Sequence, residues 1–278
     1  IKWNGSIFAP ETGIYEFIIV AENGCRLYVN DKSSKLIDAW VANRKKTEHK
    51  AEIKLLGGRL YPLTLEFFKY RGENASIRLE WKPPHRNRET IPTEALFPQG
   101  SASTYVVNTH FPPDDTSAGY RRGTLVTKAW AEATTFAAVE LATYVSLNLD
   151  RIARTKPDDP ERKKKIRDFC HKFVGQAFRH PLGEIEKKQY VDLFLEKNQY
   201  SSEGVRRVIL LALKSPKFLY PGLDDDPENS RTIASRMALA MWDSIPDNSL
   251  YNLASRDLLT KNGHLQGQAT RMVRDHRT

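Results

Sequence analysis

The stretch AENGCRLYVND, residues 21–31, gathers four carboxylate or amide side chains, Glu22, Asn23, Asn30 and Asp31, around a turn and the strand it feeds. Calcium takes six to eight hard oxygens, and amides and carboxylates also recognise sugar hydroxyls, so a loop of this composition suits either chemistry. LIDAW at 36–40 contributes Asp38 and Trp40, and the polar run VANRKKTEH behind it contributes Asn43. An exposed Trp40 would stack on a sugar ring, whereas a buried one would anchor a core, where its indole N–H needs an acceptor. The structural alternatives are equally concrete: Asn23-Gly24 favours a tight hairpin turn, and Asp38 can cap a turn.

Other chemistry finds little support. The histidines never fall at HxxxH or HExxH spacing, and GxSxG, Walker A, GxGxxG, CxxC and CxxCH are absent. No catalytic activity is therefore expected of this chain. Asp114-Asp115 and Asp224 to Asp226 lack the DxDxDG spacing of an EF-hand and read as solvated turns, the second with some capacity for calcium. Cys25 falls in a strand and Cys170 in an apolar helical stripe, positions for small buried hydrophobes rather than reactive thiols. His171 lies on the polar flank of that stripe, and His180 suits a helix C-terminus, where a cation relieves the dipole.

The net charge of +9 is spread along the chain: 16 Lys and Arg face 12 Asp and Glu in residues 1–100, and 27 face 22 in the remainder. The basic runs Arg44–Lys46 and Arg162–Lys165 are short and lack aromatic interleaving, so nucleic acid is not an expected partner. No run approaches the roughly 18–20 apolar residues that cross a bilayer, so no membrane insertion is expected either.

These residues must be positioned by two kinds of element. Residues 1–98 alternate in short segments, with Tyr15, Phe17 and Ile19 on one face of GIYEFIIVAE and Leu27 and Val29 in CRLYVN, broken by PETG, NG, GG and RGEN. That spacing predicts an antiparallel β-sandwich or barrel, with Trp3 and Trp81 in its core. Residues 99–123, rich in Pro, Gly and Ser, read as an extended linker. From residue 124 to 278 the period becomes helical. Asp159 is the expected N-cap and Pro160 the first helical residue of a segment whose stripe runs through Ile166, Phe169, Cys170, Phe173, Val174, Ala177 and Phe178. Further helices are predicted at about 125–153, 183–198, 202–214, 231–243, 247–260 and 263–275. The pattern alone thus gives an antiparallel β domain, sandwich or barrel, followed by an all-α domain.

The first hundred residues resemble the protective-antigen-type β-sandwich, named after the anthrax toxin component, in GIYEFIIVAENGCRLYVND, LIDAW, LLGGRLYPLTLEFF, SIRLEW and IPTEALFP. IKWNGSIF begins as though already inside a strand, so the opening strands are expected to be cut away and the chain to be a piece of a longer protein. In sugar-binding members of that superfamily, paired aspartates before the third strand hold calcium, which coordinates the sugar. The resemblance puts Glu22 and Asn23 at those positions, one charge short, and implies a ligand face of Glu22, Asn23, Asp38, Trp40 and Asn43.

The helical region is similar to uncharacterised planctomycete surface or exported proteins in FPPDDTSAGYRRGTLVTKAWAEATT, FVGQAFRHPL, LKSPKFLYPG, ASRMALAMWDSIPDNSLYNLA and QATRMVRDHR. These resemblances imply an extracellular, cell-surface or periplasmic protein whose sandwich binds a glycan or surface polysaccharide alongside the remaining domains of its parent. They also leave two alternatives: a cytochrome-linked oxidoreductase whose haem domain lies outside this chain, with Arg179, Arg236 or Asp243 converging on a pocket, or a structural spacer.

Overall fold

The computed structural model describes residues 1–42, 45–70, 75–113, 126–220 and 229–275. They form two compact units, Ile1–Val106 and Val107–Arg274. Residues 99–106, expected in the linker, thus group with the sandwich. Asn43, Asp114-Asp115 and Asp224 to Asp226 lie outside the described residues.

The first unit is an antiparallel β-sandwich built from β1 (Lys2–Ala9), β2 (Gly13–Ala21), β3 (Cys25–Val29), β4 (Ile37–Ala39), β5 (Thr47–Leu55), β6 (Arg59–Phe67), β7 (Ile77–Lys82), β8 (Glu89–Thr90) and β9 (Leu96–Phe97). One sheet has the order β4-β3-β6-β1-β9, the other β5-β2-β7-β8. Period-two alternation sends Tyr15, Phe17 and Ile19 into the space between the sheets, where they meet Leu27, Val29, Phe67 and Trp81.

The chain changes sheets between β1 and β2, β2 and β3, β4 and β5, β5 and β6, β6 and β7, and β8 and β9. Two of these corners are pinned by buried tyrosines. The Tyr15 hydroxyl accepts from Glu11 N at 3.1 Å and donates to Glu11 O at 2.8 Å. Tyr61 does the same for Leu56 N (2.8 Å) and Leu56 O (3.1 Å), so each phenol satisfies a backbone donor and acceptor where no ladder can.

Trp81 is buried as expected, but Trp3 is 45% exposed. It shares the inward parity of Ile7 and Ala9, yet it stands at the entry end of β1, where Ile1 to Asn4 are all exposed and the core does not reach.

In the second unit α1 (Lys128–Leu147), α2 (Leu149–Ile152), α3 (Arg162–Ala177), α4 (Glu184–Lys187), α5 (Leu193–Lys197), α6 (Ser202–Lys214) and α7 (Pro216–Leu219) surround a core that includes Val145, Ile166, Cys170, Val174, Leu195, Val208 and Ile209. α8 (Ser230–Trp242), α9 (Asn248–Ser255) and α10 (His264–Val273) have a separate cluster, including Ala238, Trp242, Leu250, Leu259 and Met272. The helix predicted at 183–198 is interrupted by a π-helical stretch, Lys188–Asp192. α3 starts at Arg162 rather than Pro160: Asp159 Oδ1 accepts from Glu161 N at 2.9 Å, and its Oδ2 takes Lys165 Nζ at 2.7 Å, closing a turn that precedes the helix. The predicted stripe on α3 packs into the α1–α7 core, with Phe169 and Phe173 half-buried at its edge.

Candidate functional site

The sequence Glu22-Asn23-Gly24 is a corner between sheets and not a hairpin, because β2 pairs with β5 and β7 while β3 pairs with β4 and β6. Asn23 takes the left-handed backbone, φ 77°, that asparagine tolerates, and it is buried. Gly24 is needed for space: a Cβ there would overlap the Phe68 ring. Phe68 N donates to Gly24 O at 3.1 Å, and Glu22 N donates to Ser76 O at 2.9 Å. Glu22 is half-buried.

Phe68 carries the corner to Trp40. The two ring centroids are 4.7 Å apart at 55°, the guanidinium of Arg26 lies 4.4 Å from the Trp40 centroid, and Trp40 remains 39% exposed. Arg26 Nε donates to Asp38 Oδ1 at 2.8 Å, and Lys35 Nζ to Asp38 Oδ2 at 2.6 Å. Hydrogen bonds from Lys35 and then Arg26 hold the Asp38 carboxyl below the usual carboxylate range.

This pair begins a longer pattern. Register aligns Asp38 with Arg26, Arg26 with Glu66 and Glu66 with Lys2, placing a row of alternating charge on the outer face of the β4-β3-β6-β1 sheet. Lys2 Nζ lies 2.9 Å from Glu66 Oε1. The next row on this face is Tyr28, Thr64 and Asn4.

Of the expected ligand residues, the structure brings Asp38 and Trp40 together through Arg26, and ties the Asn23-Gly24 corner to Trp40 through Phe68. Sequence reasoning passed over Arg26, Lys35 and Phe68. Arg26 had a signal, since it alternates with buried Cys25 and Leu27 and so had to face outward. Phe68 had none, because its role depends on a contact across 44 residues of sequence.

Both Asp38 oxygens are taken by cations, and among the described residues no group of three His, Cys, Asp or Glu side chains converges.

In the helical unit Arg179, φ 65°, donates to Lys217 O at 3.1 Å and Phe218 O at 3.0 Å, joining the ends of α3 and α6–α7. It lines a pocket of about 380 Å³ with Trp130, Leu213 and Phe218. Arg236 and Asp243, expected beside it in an enzyme, are exposed and do not line this pocket. Asp243 is instead the left-handed cap of α8. Burial and the nearby Asp192 charge push the Cys170 thiol up to about 12. His171 Nε2 lies 3.1 Å from Asp192 Oδ1.

Residues 1–95 match the family model of the PA14 domain, and residues 229–278 match that of a protein of unknown function, DUF1592. A curated relative, the anti-sigma-I factor RsgI3 of Acetivibrio thermocellus, is 34% identical over 97 residues, 35% of this chain and 15% of that protein. The chain thus spans only a small part of the relative it matches. Among solved structures, an anti-sigma factor domain-containing protein is 34% identical with a TM-score of 0.33, over 34% of this chain and 32% of the other. A second, from Clostridium clariflavum, is 30% identical with a TM-score of 0.32, over 40% and 36%. The PA14 sugar-binding domain of an RTX adhesin is 19% identical with a TM-score of 0.29, over 36% and 53%. The chain therefore carries a PA14 domain in its sandwich and a DUF1592 region over α8–α10.

Proposed function

We propose that the sandwich is a carbohydrate-binding module of an exported or surface protein, and that the helical unit belongs to the machinery it serves in a longer chain. The observation that carries this reading is Trp40: a 39% exposed indole backed by Phe68 and by Arg26, with the Asp38 carboxylate alongside. Sugar recognition uses this combination, an aromatic platform held in one orientation and flanked by fixed polar groups. The PA14 match over residues 1–95 supports the same reading. Glu22 and Asn23 contribute by shaping the corner under Phe68, so binding needs no calcium.

The test is glycan-array binding by the full chain and by Trp40→Ala, each with calcium and with a chelator. Binding that survives the chelator and falls at least about tenfold in Trp40→Ala supports the proposal. Failure to bind any glycan overturns it, and binding of neutral glycans that ignores Trp40 removes Trp40 as the platform.

A further inference from the structure

We propose that the outer face of the β4-β3-β6-β1-β9 sheet holds a second saccharide site, a cleft selective for sugars that carry a carboxylate. The proposal rests on the reading of the sandwich as carbohydrate-binding, but it seats the sugar on residues other than Trp40.

The cleft measures about 310 Å³, within the size range of small-ligand sites. Its floor is the second cross-strand row, Tyr28, Thr64 and Asn4, and its rim is the segment after β9, where Pro98 and Gly100 face it. That rim is strapped to the sheet. Ser6 Oγ donates to Gln99 O at 2.7 Å and lies 2.9 Å from Ser101 Oγ. Asn30 closes a two-way pair with Thr104, donating to its carbonyl at 2.7 Å and accepting from its N–H at 2.8 Å. A groove between a sheet face and a fastened strap is preformed, so a ligand need not order it.

The lining chemistry selects the ligand. Tyr28 offers a ring for the apolar face of a pyranose and a phenol for its hydroxyls. Thr64 Oγ1 donates to Asn4 Oδ1 at 3.0 Å, leaving the Asn4 amide nitrogen to donate to a sugar hydroxyl. Among the charged lining residues, Lys2 and Glu66 pair at 2.9 Å, so the net charge of the cleft is that of the exposed Lys32. Asp31, next to Lys32 in sequence, binds the N–H and Oγ of Ser33 through its Oδ1, at 2.8 and 2.6 Å. A cleft with one aromatic wall, neutral hydrogen-bonding groups, a Lys2–Glu66 ion pair and the further ammonium of Lys32 fits a uronate-type sugar better than a neutral one.

The experiment compares oligosaccharides that differ only at C6, β-1,4-tetraglucuronate against cellotetraose and tetramannuronate against mannotetraose, by calorimetry on the full chain. At least one acidic member is expected to bind about tenfold more tightly than its neutral counterpart at low salt, with the preference collapsing near about 0.5 M NaCl. Lys32→Gln should erase the preference, Tyr28→Ala should weaken the acidic sugar, and Trp40→Ala should leave it bound. Equal affinity for acid and neutral members, or a preference untouched by Lys32→Gln, overturns the cleft while leaving the Trp40 reading standing. Acidic binding lost in Lys32→Gln but unchanged in Trp40→Ala, with no neutral glycan bound on the array, keeps the cleft and removes the Trp40 site. Binding to neither series overturns the cleft outright.

Discussion

The ring of Phe68 fills the space that a side chain on Gly24 would need, and the same ring packs against Trp40. Gly24→Ala must therefore push Phe68 aside. We expect a loss of roughly 1–3 kcal/mol of sandwich stability, the usual range for overpacking, together with a change in Trp40 emission. Denaturant unfolding and fluorescence of the single variant check both. Unchanged emission would separate the corner from the ring.

Asn23 tests whether the corner is a ligand group or a backbone device. Its φ of 77° is open to glycine and costly for alanine. Asn23→Ala should cost about 1 kcal/mol, whereas Asn23→Gly should be nearly neutral and keep glycan binding. Loss of binding in a stable Asn23→Gly protein would make the amide itself a ligand.

Acid should release Trp40 late. The Asp38 carboxyl is held low by Lys35 and Arg26, so its contribution is fully present above the ordinary carboxylate range and is lost only as pH falls through the depressed native value. Trp40 emission is expected to stay flat from neutral pH through about pH 4 and to change below it, and Asp38→Asn should abolish the transition. A transition centred on the ordinary carboxylate value would contradict the geometry.

Arg271 forks onto Asp247, Nη1 to Oδ2 at 2.8 Å and Nη2 to Oδ1 at 3.1 Å, and its guanidinium lies 5.3 Å from the Trp242 ring centroid. Asp247 also caps α9 through Leu250 N. Arg271→Lys cannot reproduce the fork and should cost roughly 1 kcal/mol. Because α8–α10 have their own apolar cluster, hydrogen exchange should quicken there and stay unchanged in α3 and α6.

Local pattern made the two-part fold legible. Strict alternation around Tyr15 and the seven-residue stripe on α3 each follow from a period that the backbone enforces. What failed needed partners distant in sequence. Asn23-Gly24 reads locally as a hairpin, yet β2 and β3 belong to different sheets, and the glycine answers to Phe68. Trp3 has the right parity for the core but sits past its end. Asp159 closes a turn ahead of α3 rather than capping it, and the helix starts at Arg162 and not at Pro160. At the site, Asp38 and Trp40 were visible as residue types, while the pairing of Arg26 with Asp38 became visible only through strand register.

Each unit keeps one thiol inside its core, Cys25 in the sandwich and Cys170 in the helical unit, both fully buried. Burial raises both, so neither offers a thiolate at neutral pH while its unit is folded. An alkylating reagent added to the native protein would then record openings, and mapping the label to one cysteine or the other would time each half by its own clock.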